Sequence, residues 1–161
     1  MKILGIDPGT RICGYGAIET EGNKLRTLDY GTVRCSEDEV PRRLKVIHGG
    51  LVEIISRVQP DAVAVEKAFY GKNAKTAIKM GEARATALLA AAAADVDIAQ
   101  YPPATVKQSV VGNGRADKQQ VQLMVTRLLG LSEEPTPQDA SDALALAICH
   151  SHRCNSPRDI R

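Results

Sequence analysis

Tryptophan is absent and phenylalanine occurs once, so aromatic residues make up only 3% of the 161-residue chain. The core must then be filled by Val, Ile, Leu and Ala, and the single Phe69 becomes a residue to locate. The four cysteines (Cys13, Cys35, Cys149, Cys154) form no C-x-x-C pair and no regular framework. That argues against a disulfide-stapled scaffold, and reduced thiols in the cytoplasm are the expectation. No apolar run approaches the ~20 residues of a membrane span, and no signal-peptide h-region follows Met1, so no membrane partner is expected. A large charge of one sign is also missing: 21 Lys and Arg against 19 Asp and Glu leave a formal net charge of +2. Such a balance does not announce a nucleic-acid binder, and any claim of that kind must rest on where the charges lie.

What is present is organised around the first ten residues. Ile3, Leu4 and Ile6 form an apolar run of strand length, and Pro8-Gly9 stops it as a turn. Asp7 therefore ends a strand that reads as buried, where a carboxylate is costly to desolvate unless something positive meets it. A turn-capping Asp is the plain alternative. A second stretch, Asp61-Ala-Val-Ala-Val-Glu66, repeats the construction: a β-leaning run that ends in an acid.

Three strands open the chain, at 3–7, 11–20 and 25–34, with a turn at Glu21-Gly-Asn-Lys24 and Gly14-Tyr15-Gly16 thinning the side chains beside the first strand. This spacing suits an antiparallel meander. Pro41 opens a helix whose Leu44, Ile47, Leu51, Ile54, Ile55 and Val58 follow helical spacing, and Pro60 ends it. The strand at 62–66, reached through that helix, is then expected to lie parallel to the first, with Asp7 and Glu66 at the same edge. An Ala-rich helix over 73–94, packed in the core or across a dimer, precedes a strand at 96–101. A short helical piece through Lys107, the Gly112-Asn-Gly114 loop and a helix over 117–129 follow. The last helix is expected to start with Thr136 as N-cap and Pro137 at the first position. It carries Asp139 and Asp142, three apart and so on one face. The whole reads as one α/β domain, residues 1–152, with a polar flexible tail over 153–161.

Each acid has a dull explanation by itself. Asp139 suits the helix macrodipole, Asp142 suits a solvated helix stripe, and Glu66 suits a strand end. Together, two acids at parallel strand ends and two at the start of a later helix can converge on one edge. Four carboxylates cannot all ionise in a tight site without cations, since like charges raise each other's pKa. Hard divalent ions with oxygen ligands, Mg²⁺ or Mn²⁺, relieve this. Two such ions ~3.5–4 Å apart are the arrangement for in-line phosphoryl transfer.

Five segments resemble the bacterial crossover (Holliday) junction endodeoxyribonuclease family RuvC: Gly5-Ile-Asp7-Pro-Gly-Thr10, Val65-Glu66-Lys-Ala-Phe69, Val106-Lys107-Gln-Ser-Val-Val-Gly112, Arg115-Ala-Asp-Lys118 and Asp139-Ala-Ser-Asp142-Ala-Leu-Ala. The resemblance runs in order from residue 1 to about residue 152. It implies a ribonuclease H-like fold, with a central mixed five-stranded sheet flanked by helices, acting as a homodimer with divalent metal. It further implies symmetric paired nicks across a four-way DNA junction, leaving 5′-phosphate and 3′-hydroxyl ends, in recombination and repair. The family works with a branch-migration complex, RuvA-RuvB. Its four metal-binding, catalytic acids fall on Asp7, Glu66, Asp139 and Asp142, with Mg²⁺, or Mn²⁺ in its place, as two ions per site.

Basic residues cluster beside those acids. Lys72, Lys75 and Lys79 share a helix stripe directly after Glu66, and Lys107, Arg115 and Lys118 flank the 112–114 loop. A solvated surface is one explanation; beside a metal site the same charges neutralise phosphates and make binding salt-dependent. The resemblance supports Lys107 and Lys118 as DNA contacts. Phe69 is either core or, if exposed, a platform that stacks on an unpaired base, which the resemblance favours. Cys149, His150, His152 and Cys154 include soft metal ligands, but they do not all share a helix face, so a zinc site is not expected. Two rival functions are an actin-like or sugar-kinase ATPase, whose second phosphate loop and adenosine motif are missing here, and a junction-binding module without chemistry, which four intact acids oppose.

Overall fold

The computed structural model describes residues 1–67 and 73–154. β1 (Lys2–Asp7), β2 (Ile12–Glu21) and β3 (Lys24–Arg34) form the antiparallel meander, and Glu21 pairs directly with Lys24 so that the turn is only Gly22-Asn23. α1 (Val40–Val58) carries the chain across the sheet to β4 (Ala62–Glu66), which lies parallel to β1. α2 (Ala74–Ala92) then leads to β5 (Asp97–Tyr101), parallel to β4. Three helices complete the fold: α3 (Pro103–Val111), α4 (Lys118–Leu128) and α5 (Gln138–Cys154). The strand order is β3-β2-β1-β4-β5, a mixed five-stranded sheet with β1 at its centre.

The two-residue period of the strands divides the core into two layers. Leu4, Ile6, Val63 and Val65 turn to one face and pack on Ile47, Leu51, Ile54 and Ile55 of α1 and on Ala87, Ala90 and Ala91 of α2. Ile3, Ile18 and Ala64 turn to the other face, against Leu144, Ala145 and Ile148 of α5 and Val121 and Val125 of α4. With so few aromatics, the largest fully buried side chains among the described residues are all Ile, Leu and Val. Apolar residues of α1 recur at i, i+4, i+7, i+8 and i+11, which buries one stripe, and the helix stops at Gln59, whose left-handed φ of 51° precedes Pro60.

Three expectations need correction. The piece after Pro102-Pro103 is a nine-residue helix that continues past Lys107 to Val111, because Val106 and Val110, one turn apart, are both buried. α5 starts at Gln138 instead of Pro137: the Thr136-Pro137 peptide is cis, Pro137 lies outside the helix, and its carbonyl accepts from Ala140 N–H at 3.0 Å. Thr136 is thus not the residue next to the helix. At its other end α5 runs through Arg153 to Cys154, and the remainder of the expected tail lies outside the described residues.

Candidate active site

Asp7 and Glu66 reach the same edge through strand register. β1 and β4 pair with Ile6 beside Val65, so the next residue on each strand is an acid. By the alternation of the strands, Asp7 follows Ile3 and Gly5 onto the α5 face, and Glu66 follows Ala64 onto it. α5 brings Asp139 and Asp142 over that edge from its first two turns. All four carboxylates line one cleft of about 470 Å³, together with Lys107 from α3 and Lys118 from α4.

Their mutual field is visible in the protonation equilibria. Burial, reinforced by Glu66, Asp142 and Asp139, pushes the Asp7 carboxyl up to about 8, against an opposing pull from Lys118. Glu66 is raised by burial and then by Asp142, with Lys118 and Lys107 opposing. Asp142 is raised by burial, while Lys118 opposes through its charge and its hydrogen bond, at 3.3 Å from Nζ to Oδ2. Lys118 is in turn held above the usual ammonium range, chiefly by the Asp142 charge. Cys13, on β2 close to Asp7, is pushed by burial to about 12 and stays a thiol, so it offers no nucleophile.

Lys118 owes its position to the cap of α4. Asp117 accepts from Gln120 N–H at 2.8 Å, and the Gln120 side chain accepts from Asp117 N–H at 3.0 Å. This reciprocal capping box fixes where the helix starts and therefore where its first residue, Lys118, projects.

The other candidates separate from this group. Lys75 is exposed on α2 and Arg115 is exposed in the α3–α4 connection; neither lines the cleft. Phe69 and Lys72 lie outside the described residues. His150 is engaged elsewhere, with Nδ1 at 2.7 Å from the Tyr101 hydroxyl and Nε2 at 3.4 Å from Cys154 Sγ, while His152 sits against Ser109. Among the described residues no three His, Cys, Asp or Glu side chains are already arranged to hold a metal ion, at this cluster or among the acids. What the acids share is a cleft, hard oxygen donors and an excess of negative charge.

Sequence reasoning missed the apolar wall of the cleft: Ile12, Met80, Pro103, Val106 and Val121. Nothing distinguishes these from core residues in a linear sequence. It also missed the capping box, although Asp117 and Gln120 stand at the required spacing.

Residues 3–150 match the family described as crossover junction endodeoxyribonuclease RuvC. The Moorella thermoacetica protein of that name is 52% identical over 152 residues, covering 94% of this chain and 91% of that one. The fold is similar to that of T. thermophilus RuvC in complex with a Holliday junction substrate, with a TM-score of 0.90, 39% identity and coverage of 96% and 95% of the two chains. The yeast mitochondrial Holliday junction resolvase Ydc2 shares the fold at 12% identity, with a TM-score of 0.69 and coverage of 93% and 78%.

Proposed function

The chain belongs to the RuvC family of crossover junction endodeoxyribonucleases, and on that premise we propose how its own residues perform the reaction. It is a metal-dependent nuclease that resolves Holliday junctions. The observation that carries the assignment of residues is the meeting of Asp7 and Glu66, on neighbouring parallel strand ends, with Asp139 and Asp142 in one cleft.

The donor set fits a pair of hard divalent cations. Four carboxylates supply only oxygen, and burial together with the charges of the other three raises the Asp7 carboxyl to about 8, so positive charge is what this cleft lacks. Asp7, Glu66, Asp139 and Asp142 would hold two Mg²⁺ ions, or Mn²⁺ in their place. Bound there, such ions supply an activated water and charge neutralisation at the scissile phosphate. The chain's residues do the rest. Lys107 and Lys118 neutralise the flanking phosphates and orient the strand, and Lys75, Lys72 and Arg115 extend a basic approach along the duplex arms. Phe69 stacks on a base unpaired at the crossover. Ile12, Met80 and Val121 make the cleft wall apolar, which limits stray water. The products are 5′-phosphate and 3′-hydroxyl ends.

Paired nicks call for two sites related by symmetry, hence a homodimer. α2 supports this: Ala83, Ala87, Ala90 and Ala91 are buried in the core, whereas Ile78 and Leu89, three turns apart on the opposite face, are each 61% exposed. The nuclease domain takes in all of α5, to Cys154, the protein works in the cytoplasm, and RuvA-RuvB is the partner that delivers the junction. Among the described residues no helix is long and apolar enough to cross a membrane.

The decisive experiment is cleavage of a labelled mobile four-way junction by wild type and Asp7→Asn, with Mg²⁺ and with EDTA. Symmetric paired nicks that need both Mg²⁺ and Asp7 are expected. Near-wild-type cutting by Asp7→Asn would overturn the site, and junction binding without cutting by either protein would leave a binding module.

A further inference from the structure

Three glycines lie on the α5 face of the sheet where side chains would be expected. Gly5 and Gly16 are direct partners across the β1–β2 pair, and Gly14 is the direct partner of Asp7. None has a positive φ, so backbone freedom does not account for them. Space does. A Cβ on Gly5 would lie 1.9 Å from the Ala143 carbonyl oxygen, and one on Gly16 would lie 2.7 Å from the Leu144 nitrogen. A Cβ on Gly14 would lie 2.0 Å from the Asp139 carbonyl oxygen and 2.5 Å from its carbonyl carbon. The nearest neighbours of Gly5 and Gly14 are helix backbone and cannot swing aside as a side-chain tip would; at Gly16 the Leu144 side chain crowds the site together with its nitrogen.

The contact at Gly14 joins two members of the acidic set. On one side it pairs with the strand residue Asp7; on the other it receives the main chain of Asp139. We propose that Gly14 is a positioning residue of the nuclease site, its bare Cα setting how closely the first turn of α5, with Asp139 and Asp142, approaches Asp7. The inference rests on the metal-dependent function proposed above and adds to it a residue that touches neither metal nor DNA. A methyl group there forces the first turn of α5 away from the sheet by about 1 Å, given ordinary carbon–oxygen contacts near 3.3 Å. Metal–ligand distances hold to within ~0.2 Å of their ordinary values, so a lift of the helix that carries two of the ligands falls on ion binding before it falls on DNA binding.

The test measures Mn²⁺ binding to the DNA-free, full-length protein by calorimetry, together with the Mg²⁺ concentration for half-maximal cleavage. Gly14→Ala is expected to weaken Mn²⁺ binding at least tenfold and to shift the Mg²⁺ requirement upward, while junction binding in EDTA stays as in wild type. Val125→Ala serves as the control: it removes buried core volume on the α5 side of the sheet from a residue that does not line the cleft, and should lower the melting temperature with Mn²⁺ affinity retained. A folded Gly14→Ala with wild-type Mn²⁺ affinity overturns the proposal, as does an equal loss of affinity in Val125→Ala at equal loss of stability. If Gly14→Ala does not fold, Gly16→Ala decides. Its smaller overlap at Leu144 should weaken Mn²⁺ binding several-fold, and unchanged affinity overturns the proposal. Wild-type protein that neither binds Mn²⁺ nor cuts would overturn the function beneath it instead.

Discussion

The Lys118 ammonium donates to Asp142 Oδ2 at 3.3 Å, a contact that ties the start of α4 to the start of α5 across the mouth of the acidic cleft. Lys118 stands where positive charge is scarce: it opposes the upward shifts of Asp7, Glu66 and Asp142 alike. With two-thirds of its side chain in water, the pair contributes modestly to stability. Lys118→Met should lower the metal-free melting temperature by about 2–4 °C, and saturating Mg²⁺ should narrow that gap. Junction cleavage should fall at least 10²-fold, the scale expected when a group acting on charge in the transition state is removed. Differential scanning fluorimetry with and without Mg²⁺, beside single-turnover cleavage, checks both parts.

The cap of α4 makes a separable prediction. Asp117→Ala removes the acceptor for Gln120 N–H and leaves the start of the helix to fray. A loss of about 1 kcal/mol in urea unfolding is expected, with cleavage down several-fold because Lys118 is no longer held in place. Asp117→Asn, which keeps an accepting oxygen, should retain most of both. Equal losses in the two variants would mean that the charge of Asp117, not its cap, matters.

Asp7 should make the metal-free protein sensitive to pH. Its carboxyl ordinarily titrates near 3.8 but holds its proton up to about 8 in the fold. Between those values the folded chain binds more protons than the unfolded chain, so raising the pH through this window costs stability. In EDTA, wild type should therefore weaken from pH 4 to pH 8 more steeply than Asp7→Asn. At pH 8 the inactive variant should be the more stable by ~1–3 kcal/mol. Urea titrations at the two pH values decide this; parallel profiles would refute it.

Much of this arrangement was legible in the sequence because it depends on short-range rules. A strand-length apolar run broken by Pro8-Gly9 gave Asp7 its strand end, and the intervening helix implied the parallel pairing that brings Glu66 beside it. Asp139 and Asp142 share a face because of helical spacing alone. What was less legible depends on contacts distant in sequence. Nothing local told that Val110 would be buried and extend α3, that Pro137 would remain outside α5, or that Met80 and Ile12 would wall the cleft. The glycines beside the first strand were noticed as thin, but the atoms that fill their space belong to a helix more than a hundred residues away.

The exposed stripe on α2 offers a test of the proposed homodimer. Ile78→Glu together with Leu89→Glu adds charge where two 61%-exposed apolar side chains share a face. The double variant should elute as a monomer in size-exclusion chromatography with its fold intact by circular dichroism. It should lose coordinated second nicks, leaving singly nicked junctions. A stable dimer in the double variant would move the interface elsewhere.

The acidic set is contributed by β1, β4 and α5, so it spans nearly the whole order of the described chain. A ribosome releases Asp7 almost at once, yet Asp139 and Asp142 emerge only when α5 does. Until then the glycine-faced side of the sheet lacks the helix that fits it, and the proposed metal site lacks two of its four carboxylates. On the proposed assignment, a chain that ends before α5 lacks two of the four acids, so the nuclease site is completed only when nearly the whole chain has been made.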